Sequence, residues 1–397
     1  MALFNSPENR LPGFKLALIA SIFAVLVLAL GAFTRLADAG LGCPDWPGCY
    51  GHVLWPTSAE DVKAANQAYP DMPVEHDKTW PEMVHRYLAQ ALGFFAIGIF
   101  ILAVRYRGQE QPVKTISALL VTNVLLTAVT AVVGVVMEPF AVASVIATIL
   151  TLAYFGLKRG TSVQPFKLPA FLLAFIILQG LFGMWTVTLK LWPQVVTSHL
   201  LGGFTTFSLL WLLTLRLNNL QWQVPAVNFE QLKAFRRWAV IGLVIVFVQI
   251  ALGGWTTSNY AAVACPDLPT CQNQWLPDMD FNEGFNITQS IGPNYLGGIM
   301  DNEARVAIHF IHRVGAIITT AYLLFLIVVL YMRIALPETR TIASVILGVL
   351  ILQVLLGLGN IIFQFPVSVA VAHNLVGALL LITMVTLNHR VFTAKPV

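Results

Sequence analysis

The chain has 397 residues, 57% of them hydrophobic and only 11% charged, with a mean hydropathy of +0.75. Soluble domains carry roughly a quarter charged residues, so this composition excludes a soluble globular protein and marks an integral membrane one. The formal net charge of +4 reflects where the basic residues sit relative to the membrane, not affinity for nucleic acid.

An apolar run near twenty residues is long enough to cross a hydrocarbon core of about 30 Å at 1.5 Å rise per residue. The first run, about 14–34, follows a short polar start with Arg10 and Lys15. It is too long for the h-region of a signal peptide, so it is expected to be retained. An outer loop over 35–81 carries "CPDWPGC" at 43–49, and the second run, 83–104, opens on "EMVHR" (82–86). The apolar stretch 114–157 is broken by "MEPF" (137–140). An acid and a proline make a poor helix interior but a good turn, so a tight hairpin of two spans is expected there. Runs at 168–188 and 194–216 follow, then a segment 217–237 expected to be a cytoplasmic linker. Runs at 238–258, 305–332, 341–363 and 367–388 bring the expectation to ten spans, with a second outer loop, 259–304, carrying "CPDLPTC" at 265–271.

Lys and Arg are held back on the cytoplasmic side. With both termini cytoplasmic, that side collects Arg105, Arg107, Lys158, Arg159, Arg236, Arg237, Arg333, Arg340 and Arg390, while the two long loops on the other side are acidic. Both cysteine phrases then face an oxidising compartment.

The chain is written twice. "LGAFTRLADAGLGCPDWPGC" (30–49) lies over "LGGWTTSNYAAVACPDLPTC" (252–271) without a gap, "EMVHR" matches "HFIHR" (309–313), and "QGLFGMWTVTLKLWPQVVTSHLLGG" (179–203) matches "QVLLGLGNIIFQFPVSVAVAHNLVG" (353–377). The expected fold is therefore an all-α polytopic membrane protein of two parallel four-helix-bundle repeats, related by a pseudo-two-fold along the membrane normal. Residues 1–216 form the first repeat and 238–397 the second. His85 and Gln179 stand 94 positions apart but His312 and Gln353 only 41, and this difference makes the 114–157 hairpin an insertion into the first repeat.

Of eight histidines, His52, His76 and His389 read as surface residues; His85, His199, His309, His312 and His373 fall in spans. An imidazole in a membrane helix is costly enough to point to function. His85 and His199 occupy the second and fourth shared spans of one repeat, and His312 and His373 the matching places in the other. All four are expected in the first turns of their helices, on the order of 5–10 Å from the outer ends. Two facing imidazoles suit the axial positions of a low-spin haem iron, whereas zinc needs three or four ligands. Arg86 and Arg313 each follow a candidate ligand and could pair with haem propionates or snorkel to the headgroups. Glu82 stands where the other repeat has His309; it is either an acid–base group beside a porphyrin or an acid favoured by the helix dipole.

These motifs, with "TRLADAGLGCPDWPGCYG" and "VAHNLVGA", resemble the haem A synthases, the membrane enzymes that convert haem O to haem A. The resemblance covers nearly the whole chain except the insertion. It implies that the first half binds haem O through His85 and His199 with Glu82 near the reacting methyl. The second half would keep a permanent haem b through His312 and His373. It implies successive hydroxylations of the porphyrin C8 methyl to a formyl group, with electrons leaving through the second haem. A bacterial cytoplasmic membrane, periplasmic cysteine loops, and a haem O synthase as supplier go with this reading. A dihaem b-type electron carrier suits the paired histidines equally but gives Glu82 no role; a transporter with a His–Glu proton relay would place its groups nearer the membrane centre.

Five residues between the cysteines of each phrase exceed the usual zinc spacing of two to four. Local disulfides, Cys43–Cys49 and Cys265–Cys271, are expected as clasps on the outer loops, with a redox role for the first pair as the alternative.

Overall fold

A computed structural model of the chain describes residues 5–106 and 165–397, and between them only scattered helical positions from 118 to 151. The hairpin expected over 114–157 lies, apart from those positions, outside the described residues. Among the described residues, eight helices are long and apolar enough to cross a membrane. In chain order the helices are α1 (Phe14–Leu36), a short α2 (Ala59–Ala68) in the first outer loop, α3 (His76–Arg105), α4 (Lys167–Thr188), α5 (Pro193–Asn218), α6 (Ala226–Ser258), α7 (Asn302–Val329), α8 (Pro337–Ile362) and α9 (Val367–Thr393). A π-helical turn, Leu330–Ile334, continues α7. Pro193 and Pro337 open their helices at the position where the missing N–H costs nothing.

Three helices outrun their apolar stretches, and two of the overruns have a polar cause. α3 begins at His76, with Asp77 in its first turn, and α7 begins at Asn302, with Glu303 there. Acids are stable beside the unpaired N–H groups of a helix start, so both helices extend past their apolar runs. His85 and His312 consequently lie about 14 and 15 Å from the starts of their helices at 1.5 Å per residue, deeper than expected. His199 and His373, about 9 Å in, stand where expected. The third overrun is α6: it starts at Ala226 directly after Pro225, so most of the stretch expected as a linker is helix, with Arg236 half-buried and Arg237 exposed.

The chain divides into two compact units, Leu11–Leu217 with Ser290–Leu296, and Met1–Arg10 with Asn218–Gln289 and Gly297–Val397. In the first, α1 packs on α3 and α3 on α4. α5 joins them through a hydrogen bond between Ser21 of α1 and Thr214 (3.1 Å) and through the Gln179–His199 contacts described below. The late segment Ser290–Leu296 joins this unit by Tyr295, almost wholly buried, whose N–H donates to the Lys190 carbonyl at 3.1 Å. In the second unit α6 packs on α7 and α9, and α8 on α7 and α9. A two-residue parallel pairing of β1 (Gln223–Val224) with β2 (Lys395–Pro396) ties down the end of the chain, and the Arg390 guanidinium bonds the Leu220 carbonyl beside it.

Candidate functional site

Each unit brings together two of the span histidines. In the first, the rings of His85 (α3) and His199 (α5) stand 6.4 Å apart between centroids and are perpendicular, at 88°. In the second, His373 (α9) lies within electrostatic reach of His312 (α7). All four imidazoles rest against a glycine of a neighbouring helix. A Cβ built on Gly31 of α1 would come within 2.6 Å of His85 Cε1, and one on Gly183 of α4 within 3.1 Å of His199 Cε1. Gly253 of α6 and Gly357 of α8 meet His312 Cε1 and His373 Cε1 in the same way, each at 3.1 Å. A helix that presents bare backbone lets a ring approach closely, and a methyl group at any of the four would push it away.

Two further side chains complete the surroundings of the rings. Nε2 of Gln179 (α4) donates to the His199 carbonyl at 2.6 Å and lies 3.0 Å from its Nδ1. Nε2 of Gln249 (α6) donates to the His312 carbonyl at 3.0 Å and lies 3.1 Å from its Nδ1. Gln353 (α8) approaches His373 at Nε2 instead, at 3.3 Å. The repeated twenty-residue interval from Gln179 to His199 and from Gln353 to His373 was the sequence signal for two of these contacts; Gln249 had none.

Above the His85–His199 pair sits the first cysteine loop. Cys43 and Cys49 form a disulfide, as do Cys265 and Cys271 in the second unit. In each loop the second cysteine makes a two-bond bridge to the residue three further on, His52 or Gln274. The aspartate of each phrase closes the turn. Asp45 accepts from the N–H groups of Tyr50 (2.5 Å) and Gly51 (2.8 Å), and Asp267 from those of Gln272 (2.6 Å) and Asn273 (3.0 Å). Thr270 adds its hydroxyl to Asp267. Those donors, the Thr270 hydroxyl first, hold the Asp267 carboxyl below the usual aspartate range. Tyr50, its phenol on the Met72 carbonyl at 3.0 Å, has its pKa pushed up to about 12 by burial and then by the carboxylates of Glu75 and Glu82.

Arg86 and Arg313 were expected to meet haem propionates or headgroups. In the structure they clasp the cysteine loops. Arg86 Nη1 donates to the carbonyls of Asp45 (3.1 Å), Pro47 (3.3 Å) and Gly48 (2.7 Å). Arg313 donates to those of Thr270 (2.8 Å) and Cys265 (2.7 Å). The remaining partner distinguishes the units. Arg86 Nη2 is ion-paired with Glu82 Oε1, and Glu82 Oε2 accepts from the Cys43 N–H at 3.0 Å. Arg313 Nε instead donates to His309 Nε2 at 3.3 Å. Glu82 and His309 are each only 4% exposed, so a carboxylate and an imidazole occupy matched buried places. Of the three histidines read as surface residues, His76 is exposed, whereas His52 and His389 are half-buried.

The rings fit a haem. A metal–nitrogen bond of about 2 Å on each side, and roughly 1 Å from nitrogen to ring centre, put two axial imidazoles about 6 Å apart between centroids. That matches the His85–His199 separation. In the second unit His373 Nδ1 is buried with no hydrogen-bond partner, a costly condition unless another acceptor of its lone pair is present, such as a metal. Among the described residues there is no cluster of three or more His, Cys, Asp or Glu side chains placed to hold a metal ion.

Comparison with known proteins gives a concordant picture. The model of the COX15-CtaA family, cytochrome oxidase assembly proteins, matches residues 14–142 and 139–385. A protein named Heme A synthase from Shewanella oneidensis is 38% identical over 371 residues, 94% of each chain. Another of that name from Caulobacter vibrioides is 24% identical over 402 residues, 96% of each, and one from a Wolbachia of Brugia malayi is 24% identical over 90% of each.

Proposed function

The chain belongs to the COX15-CtaA family of cytochrome oxidase assembly proteins, and from that premise we propose that it is a haem A synthase, oxidising the C8 methyl of haem O to a formyl group. The reading assigns haem O to His85 and His199 in the half spanning 1–216, and a resident haem b to His312 and His373 in the half spanning 238–397. When bound, haem b supplies a one-electron relay for the electrons removed from the methyl group. Each of two hydroxylations replaces a C–H hydrogen by the hydroxyl of a water molecule, releasing two protons and two electrons that pass to an acceptor outside the chain, and the resulting gem-diol loses water to leave the formyl group.

The chain's own residues do the remaining work. His85 and His199 orient the substrate haem, and the glycines beneath them set how deep it lies. Glu82, one helical turn before His85 and on the same face of α3, is the proton-handling group at the periphery of that haem. Arg86 supplies its counter-charge, because a buried carboxylate is tolerated only when paired and hydrogen-bonded. The disulfide loop above excludes water from the same edge. The observation that carries this reading is the Glu82/His309 difference: two sites share imidazoles, glycines, arginine and disulfide, and only one has a carboxylate.

The protein is placed in the bacterial cytoplasmic membrane, with both termini inside and the cysteine loops in the periplasm, in keeping with its basic residues and its bacterial relatives. A haem O synthase is the supplier of its substrate. The test is expression with and without a source of haem O, followed by extraction and chromatography of the haems. Haem A formed by the wild type and lost in Glu82→Ala supports the synthase. Unchanged haem O beside full haem b content would overturn it in favour of an electron carrier.

A further inference from the structure

We propose that Val53–Leu54 and Trp275–Leu276 are paired lipid anchors, inserted into the membrane interface on the side the cysteine loops face, and that each pins its own loop. The inference stands on the loops themselves and does not depend on which haem either unit holds.

The two dipeptides are copies of one another. The ungapped register that lays residues 43–49 over 265–271 runs on, setting Val53 over Trp275 and Leu54 over Leu276. Each pair follows at once on the two-bond bridge that ends its disulfide turn, Cys49 to His52 or Cys271 to Gln274. Both pairs are turned out of the fold: Val53 is 80% exposed and Leu54 57%, Trp275 75% and Leu276 72%. The chain folds back in straight after them. Trp55 packs against the cluster of Cys43, Cys49, Tyr50 and Met83, and Pro56 and Pro277 are buried. Two adjacent apolar side chains held outward by a braced turn, twice over, form a contact surface, unlike apolar residues scattered singly.

Depth decides what that surface meets. Tyr87 donates its phenol to the Val53 carbonyl, and Tyr87 belongs to the apolar run 83–104 of α3. Trp80, Phe94 and Ile101 lie seven or fourteen residues from it, on the same face of α3, and all three are exposed. That face of a spanning helix is the one turned to lipid. A long helical side chain points back toward the helix start. The phenol, and Val53 with it, therefore lies about one turn outward of Tyr87, level with the beginning of the apolar run. In the second unit Arg313, inside the apolar run 305–332, reaches the Thr270 and Cys265 carbonyls, so this turn too is drawn down beside the outer turns of its run. At that boundary tryptophan is enriched, and apolar side chains are taken up between headgroups and acyl chains. The loops around the anchors are acidic, with Glu75 and Asp77 in the first and Asp278 and Asp280 in the second. Such loops gain nothing from anionic headgroups, so the contact is with zwitterionic lipid and is insensitive to salt.

The test is fluorescence quenching of the whole protein in phosphatidylcholine nanodiscs. The Trp275 component is the difference between the wild type and Trp275→Phe, and Leu54→Trp gives the first loop a probe of its own. Each component should be quenched more by lipid brominated high on its acyl chains than by iodide in the buffer, at low and high salt alike. Stronger quenching by iodide would place the dipeptides in water, and quenching by neither would mean that protein covers them; either result overturns the inference. Val53→Ser with Leu54→Ser, and Trp275→Ser with Leu276→Ser, change side chains that stand largely clear of the fold. Each double variant should quicken reduction of its own loop's disulfide by a water-soluble phosphine and leave the other loop's rate unchanged. Rates unmoved in both variants would overturn the pinning.

Discussion

In the first unit one guanidinium reaches three carbonyls of the cysteine loop and a buried carboxylate; in the second the equivalent guanidinium reaches two loop carbonyls and an imidazole. The disulfides, the aspartate-closed turns and the glycine-seated histidines are otherwise matched. The difference teaches that the clasp is common property of the two sites and that charge is not. A neutral imidazole beside Arg313 asks nothing of the loop. The carboxylate beside Arg86 also holds the Cys43 N–H, so the cysteine loop, the cation and the carboxylate form one connected network.

Glu82→Gln breaks that difference most directly. It keeps the side chain's size and its hydrogen bond from Cys43, and it removes the charge and the proton acceptor. Loss of a general acid–base group costs about 10²–10⁴-fold in rate, so haem A formation should fall by that range with haem content held. His309→Gln should leave the rate near that of the wild type. Equal losses in the two variants, read as haem A per haem b in extracts, would deny Glu82 a special role.

The arginines test the network rather than the chemistry. Arg86→Met strands a carboxylate that is almost wholly buried, and removing one partner of a buried pair costs about 3–5 kcal/mol. Arg313→Met forfeits charged hydrogen bonds to carbonyls and leaves only a neutral ring behind, about 1.5–3 kcal/mol. Thermal unfolding in detergent should rank Arg86→Met below Arg313→Met, and Glu82→Gln should rescue part of the Arg86→Met loss. Without that rescue, the ion pair is not the connection that matters.

Gly31→Ala and Gly253→Ala probe how closely the rings are seated. At Gly31 a methyl would meet the His85 ring at 2.6 Å, and something must move; at Gly253 the gap is 3.1 Å and a few tenths of an ångström suffice. Overpacking costs of roughly 1–3 kcal/mol should fall on the first, with loss of first-unit haem. The second should show only a shifted haem b spectrum.

Much of this was legible in the sequence because duplication supplies its own alignment. Two copies of an eccentric heptapeptide fixed the register, and the register then exposed Glu82 against His309 as the odd position. The eight described spans followed from hydropathy, since burying a polar backbone in lipid leaves no alternative to long apolar helices. What stayed hidden had physical reasons. The polar first turns of α3 and α7 are helical for reasons of helix-end electrostatics, which a hydropathy window does not register. The arginines' bonds to the cysteine loops were hidden because a guanidinium's charge is visible in sequence, while the curled loop that offers it carbonyls is not. The Gln249–His312 contact joins residues 63 positions apart and shows only once α6 is known to lie against α7.

The smallest expected effect lies at the turn itself, where the second loop has a hydroxyl that the first lacks. Thr270 donates to Asp267, and the matched residue in the first loop is Gly48, where a Cβ would stand 2.7 Å from the His52 carbonyl; a threonine there is sterically barred. Because the folded state holds the Asp267 carboxyl below its usual range, its contribution to stability is present above the ordinary aspartate pKa of about 4. That contribution is lost as pH falls through the lowered folded value. Thr270→Gly removes the first of its causes. The melting temperature should therefore drop slightly at pH 6, and the gap between variant and wild type should narrow as the pH is taken below about 4. The added freedom of a glycine in the unfolded chain lowers stability at every pH alike, so only the narrowing reports on the carboxylate. A gap that stays constant across that range would mean that the hydroxyl shapes the turn without favouring the charge it touches.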